Sequence, residues 1–180
     1  MVYIFLADGF EEIEGLTVVD LLRRAQIDIR MVSITGTKQV ISSHNIKIEA
    51  DENYGESDYS KGDMLILPGG MPGTRSLAEH QELVTLLKQF NEEGRNIAAI
   101  CAAPSVLGMA GVLQGKKATC FPGFEDSLKG AQVTGNKVEA DDNIITGKGM
   151  GVSILFSLAI IEKLKDKETA DKIAAAIQYI

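Results

Sequence analysis

The sequence predicts an α/β fold built on a mainly parallel sheet, and three observations carry that prediction. Short apolar runs rich in β-branched residues recur along the chain. Segments with apolar residues at helical spacing separate several of them, and glycine, proline or aspartate turns punctuate the series. Strands alternating with helices in this way build βαβ units.

In chain order, Val2–Ala7 is an apolar run read as a buried strand. Glu11–Arg24 spaces Ile13, Leu16, Val19 and Leu22 as an amphipathic helix. Asp28–Thr35 is a second strand, and Gly36-Thr37-Lys38 turns into shorter strand-like pieces at Gln39–Ser42 and Ile46–Ile48. The polar stretch Asp51–Gly62 reads as a surface loop, and Met64–Leu67 as a strand stopped by PGGMPG. A helix is expected next, opened by a capping box at Ser76–Glu79 and carrying Leu83, Leu86, Leu87 and Phe90. Ile97–Ile100 is strand and Ala103–Ala110 a short helix. Strands follow around Ala118–Thr119, Lys137–Glu139 and Ile144–Thr146, the last two joined by an Asp141-Asp142-Asn143 turn. Met150–Leu164 is apolar almost all round, so it is expected in the core or at a subunit interface, and a last helix covers about Glu168–Gln178.

Length and composition bound the function. A chain of 180 residues with 45% hydrophobic and 24% charged residues suits one domain with a proper core. A net charge of −7 without a basic stripe argues against binding nucleic acid by bulk electrostatics. The opening segment lacks the flanks of a secretory signal, and Val152–Ile161 is too short to span a bilayer. With two cysteines there is no disulfide framework, so a cytoplasmic protein is expected.

Ligands of parallel sheets bind at the carboxyl ends of the strands. Three segments fall there: Asp8–Glu14, Pro68–Gly73 and Cys101–Pro104. Cys101, in IAAICAAPSVLG, sits where a strand turns into a helix, at the positive end of the helix dipole. That setting is expected to favour a thiolate, and Ala99, Ala102 and Ala103 keep the elbow uncrowded. The alternative is a small core hydrophobe. Gly69 and Gly70 leave backbone N–H groups free, either as an oxyanion hole or simply as a tight turn. Glu11, Glu12 and Glu14 suit a helix's first turn, and a buried Glu14 beside a thiol would be held protonated. No His/Cys/Asp spacing makes a metal site, and no cofactor is expected.

Together GFEEIE (Gly9–Glu14), LPGG (Leu67–Gly70), AAICAAP (Ala98–Pro104) and GKGMG (Gly147–Gly151) resemble the ThiJ/PfpI superfamily, and most closely its DJ-one deglycase branch. The resemblance spans residues 1–180 as one class I glutamine amidotransferase-like domain. It implies a flavodoxin-like three-layer sandwich with a nucleophile-elbow cysteine, usually dimeric. It makes Cys101 the reactive cysteine, Glu14 its protonated partner and the backbone of Gly70 an oxyanion donor. Gly69, Ala102, Phe121 and Lys148 would border the pocket, Lys148 standing where the family has an arginine. His44 matches a segment that in the family approaches the neighbouring subunit's site, although an exposed loop histidine is the plainer reading.

Two departures sharpen the reading. Peptidases and amidotransferases of the superfamily carry a histidine directly after the cysteine, where this chain has Ala102, which disfavours peptide cleavage. The branch often has a histidine where Phe121 stands. His80 reads as a structural or surface residue, and Cys120 as a packed thiol rather than a resolving one. Two functions follow from the resemblance: a glyoxalase or deglycase acting on small reactive carbonyls or glycated substrates, or an oxidation sensor or chaperone whose cysteine forms a sulfinate.

Overall fold

Alternate residues of the first strand face opposite ways, and the two faces bury different cores. Val2, Ile4 and Leu6 enter one core with Val18, Leu22, Phe156 and Ile160, while Tyr3, Phe5 and Ala7 enter another with Leu77, Leu87, Phe90 and Leu107. A computed structural model describes residues 1–179. In chain order its elements are β1 (Val2–Leu6), α1 (Glu12–Arg24), β2 (Ile29–Ser33), β3 (Gln39–Ile41), β4 (Lys47–Glu49), β5 (Glu52–Asn53) and β6 (Met64–Leu67). Then come α2 (Gly73–Glu79), α3 (Gln81–Glu92), β7 (Asn96–Ile100), α4 (Pro104–Met109), β8 (Lys117–Ala118), β9 (Gln132–Val133), β10 (Val138–Asp141), β11 (Ile144–Gly147), α5 (Ser153–Leu164) and α6 (Lys167–Ala176).

Among the described residues, seven strands form the main sheet in the order β10-β11-β7-β6-β1-β2-β5. Every pairing in it is parallel except that of β10 with β11. Helices α1, α5 and α6 cover one face and α2, α3 and α4 the other, giving the expected flavodoxin-like three-layer sandwich. The strands at the centre of the sheet are apolar on both faces because both faces are covered. No helix among the described residues is long and apolar enough to cross a membrane.

Three local expectations need correction. The stretch Asp51–Gly62 is not wholly loop: β5 extends the sheet edge by pairing Glu52 with Val32 and Asn53 with Ser33. The helix expected from Ser76 is two helices, with Ser76 inside α2 and the cap at His80, whose Nδ1 accepts a 3.2 Å bond from Leu83 N–H. The Gln132–Val133 strand was not expected; it pairs with β8 in a separate two-stranded sheet. The apolar segment Met150–Leu164 begins with a 3-10 turn at Met150–Val152 and continues as α5, which packs against α1 and α6 and buries Phe156, Ile160 and Ile161.

Candidate active site

The adjacent parallel strands β1, β6 and β7 deliver the three glycine-, proline- and cysteine-bearing segments to one end of the sheet. Cys101 follows β7 directly and takes a φ of +65°, a left-handed conformation uncommon for a side-chain-bearing residue. Its backbone is held at both ends: its N–H donates to Gly147 O at 2.9 Å, and its carbonyl accepts from Phe121 N–H at 2.8 Å. The chain then turns into α4, so the cysteine stands on an elbow as expected.

Glu14 comes from the first turn of α1, is fully buried, and its Oε2 accepts a 2.8 Å bond from Gly69 N–H. Gly69 is the wedge between thiol and carboxyl. A Cβ there would lie 2.6 Å from both Cys101 Cβ and Glu14 Oε2, and 3.1 Å from Cys101 Sγ, so no larger residue fits without parting them. Gly70, at φ +92°, is equally constrained, because a Cβ would come within 2.3 Å of Glu11 N. The oxygen of Gly69 accepts from Glu11 N–H at 2.9 Å, which fastens the glycine loop to the start of α1.

Charge is costly here. Burial pushes the Glu14 carboxyl up from 4.5 to about 7, with the Glu11 charge adding to the rise and the Cys101 thiol and Gly69 N–H opposing it. Both forms of Glu14 are therefore populated near neutral pH. Its Oε1 is buried without a hydrogen-bond partner among the described residues. Burial, followed by the charge of Glu14 and its hydrogen bond, pushes the Cys101 thiol up to about 12, against the N–H groups of Ala102 and Gly70. This corrects the expectation of a thiolate stabilised by the elbow alone. Burial and the neighbouring Glu14 charge both disfavour the ionised sulfur.

The remaining candidates divide. Ala102 is buried, with its N–H turned to the thiol, as is that of Gly70. Phe121 is 48% exposed and its ring borders Gly149. Lys148 reaches away to Gly135 O, 3.2 Å from its Nζ. Cys120 is buried, and burial pushes its thiol up to about 11. His80 is structural, capping α3 and packing on Tyr54 with ring centroids 4.4 Å apart.

The sequence reading missed the web that ties the β3–β4 turn to α1. Ser43 Oγ donates to Glu11 Oε2 at 3.0 Å, and His44 Nδ1 lies 2.8 Å from Glu12 Oε1. Hydrogen bonds from its own backbone and from Ser42, together with the neighbouring His44, outweigh burial and hold the Glu12 carboxyl below the usual range. Nothing in the local sequence signals these contacts, because the partners are 32 residues apart in each.

Residues 1–163 match the DJ-1/PfpI family. Among curated relatives, the chain is 35% identical over 172 residues to Protein DJ-1 homolog B of Arabidopsis thaliana, covering 95% of this chain but only 39% of that protein. It is 31% identical over 165 residues to the glutathione-independent glyoxalase DJR-1.2 of Caenorhabditis elegans, covering 91% of this chain and 87% of the relative. Among solved structures it superposes on oxidized Toxoplasma gondii DJ-1 with a TM-score of 0.94 and 35% identity, covering 98% and 97% of the two chains.

Proposed function

The chain belongs to the DJ-1/PfpI family, and from that premise we propose that it is a cysteine-dependent stress-response enzyme acting on small reactive carbonyls of the methylglyoxal type. The observation that carries this reading is the buried Glu14 carboxyl, poised at about 7, facing the Cys101 thiol across Gly69. A group with that affinity for protons serves as base and acid in turn near neutral pH.

Ionised Glu14 takes the thiol proton as Cys101 Sγ bonds to the aldehyde carbon, and the aldehyde oxygen receives a proton in return, giving a hemithioacetal. The N–H of Gly70 steadies the negative charge that develops on that oxygen. Glu14 then removes the hydrogen from the former aldehyde carbon and delivers a proton to the neighbouring carbon, while the hydroxyl proton on the former aldehyde oxygen passes to the former ketone oxygen, which leaves a 2-hydroxy thioester. Water cleaves the thioester, releasing a 2-hydroxy acid and restoring the thiol. The whole sequence converts one ketoaldehyde and one water into one hydroxy acid, with no external oxidant or reductant. Removal of early glycation adducts would use the same thiol and carboxyl.

Lactate formation from methylglyoxal tests the proposal. The wild type is expected to turn over, while Cys101→Ser and Glu14→Gln fall to the uncatalysed background; equal rates in all three would overturn it. Oxidation sensing is a second reading, favoured by the partial exposure of Cys101 against the burial of Cys120. Mild peroxide followed by mass spectrometry is expected to oxidise Cys101 first, and oxidation of Cys120 ahead of it would remove this reading's basis. We also propose a homodimer, as the family resemblance implies, whose assembly sedimentation velocity tests, and a cytoplasmic location, on the two-cysteine composition.

A further inference from the structure

We propose that Glu11, Glu12 and His44 bind a divalent transition-metal ion of the zinc type, at a site separate from the Cys101 thiol. Glu11 Oε2, Glu12 Oε1 and His44 Nδ1 converge where the turn between β3 and β4 meets the start of α1. Their ligand atoms all lie within 4.8 Å of one another. His44 Nδ1 is 2.8 Å from Glu12 Oε1 and 3.7 Å from Glu11 Oε2. Ligands at about 2.0–2.1 Å from a tetrahedral zinc ion are separated by about 3.3 Å, so the observed spacings bracket the required one.

The surroundings hold the donors in place. Ser43 N–H donates to Phe10 O at 2.8 Å, which pins the turn against the segment leading into α1. Within the turn, Ser42 Oγ accepts from Ile46 N–H at 3.1 Å. Ser43 Oγ lies 3.0 Å from Glu11 Oε2 and 3.3 Å from Glu12 Oε2, and its single proton orients one carboxylate at a time, as a supporting hydrogen bond does around metal ligands.

Charge points the same way. The two carboxylates are largely shielded, with side chains 13% and 9% exposed, and their ion-pair partner among the described residues is His44 alone. One imidazole leaves a pair of adjacent carboxylates with excess negative charge, which a divalent cation relieves. The imidazole nitrogen selects for zinc, cobalt or nickel over magnesium or calcium, which prefer oxygen-only sites. In the single chain His44 is 67% exposed, which gives an ion a route to the three donors.

Calorimetric titration of chelator-treated protein with Zn2+, alongside the visible spectrum of the Co2+ form, tests the site. One equivalent is expected in the wild type and in Cys101→Ser alike. His44→Ala, a change at an exposed side chain, is expected to weaken binding by more than about tenfold, the least that loss of even a supporting group costs. Glu12→Gln should do the same, with circular dichroism confirming that each variant folds. The proposal is overturned if the wild type binds no ion, if His44→Ala binds as tightly, or if binding disappears in Cys101→Ser. It does not depend on the carbonyl chemistry, since the readout is ion binding and not turnover.

Discussion

At the scale of single residues, Cys101 and Glu14 share a problem of charge, and Gly69 decides how close they stand. Cys101 was legible from the sequence because an apolar strand ends on it and small residues follow. Glu14 was a candidate by its place after a strand end, but acids in a helix's first turn are ordinary, and the family motifs were what singled it out as the partner of Cys101. The direction of the thiol's shift was not legible, because it depends on burial and on Glu14, which is far away in sequence. Above pH 7 the ionised carboxyl opposes ionisation of the sulfur, so Glu14→Gln is expected to speed alkylation of Cys101 at pH 8 while abolishing turnover. Rates by iodoacetamide trapping check this; slower or unchanged alkylation would show that the carboxylate does not restrain the thiol. Gly69→Ala forces a methyl into the 2.6 Å gaps beside Cys101 and Glu14. It should cost about 1–3 kcal/mol in a denaturant melt and remove activity, as overpacking does.

At the scale of elements, long periodic segments were read to within a few residues, and the errors fall where tertiary contacts override local signals. β5 holds only Glu52 and Asn53, too short and too polar to show alternation, and it exists because β2 offers a parallel edge. The break between α2 and α3 was hidden because histidine is not a habitual cap. Here its ring is fixed against Tyr54, which aims Nδ1 at Leu83 N–H. His80→Ala should therefore cost about 1 kcal/mol, as the loss of a capping side chain does, without changing Cys101 alkylation. Thermal melts and alkylation rates together check this, and an altered rate would make His80 more than a cap. The β3–β4 turn follows the same logic: its own sequence suggests only a loop, while its position is set by what Ser43 and His44 meet at the start of α1.

At the scale of the whole molecule, the buried carboxyl sets how stability responds to pH. Glu14 binds its proton more tightly in the folded chain, at about 7, than at its ordinary 4.5. The folded state therefore carries more proton than the unfolded state between those values. Its stabilising contribution is complete below pH 4.5 and is lost as pH rises through 7, an effect of about 3 kcal/mol. Burial of Cys101, raised from 9.0 to about 12, removes further stability above pH 9. Glu12, Glu56, Asp58, Glu93, Asp142 and Asp166 act oppositely. Their carboxyls are lowered, so their contributions are present at neutral pH and are lost as acid protonates them. The two trends place maximum stability in weak acid. Denaturant midpoints measured from pH 5 to pH 8 should fall in the wild type and stay nearly level in Glu14→Gln, whose amide has no proton to lose. Parallel curves for the two proteins would mean that Glu14 keeps the same proton affinity in the folded and unfolded chains, and would remove the buried carboxyl from the stability of the fold.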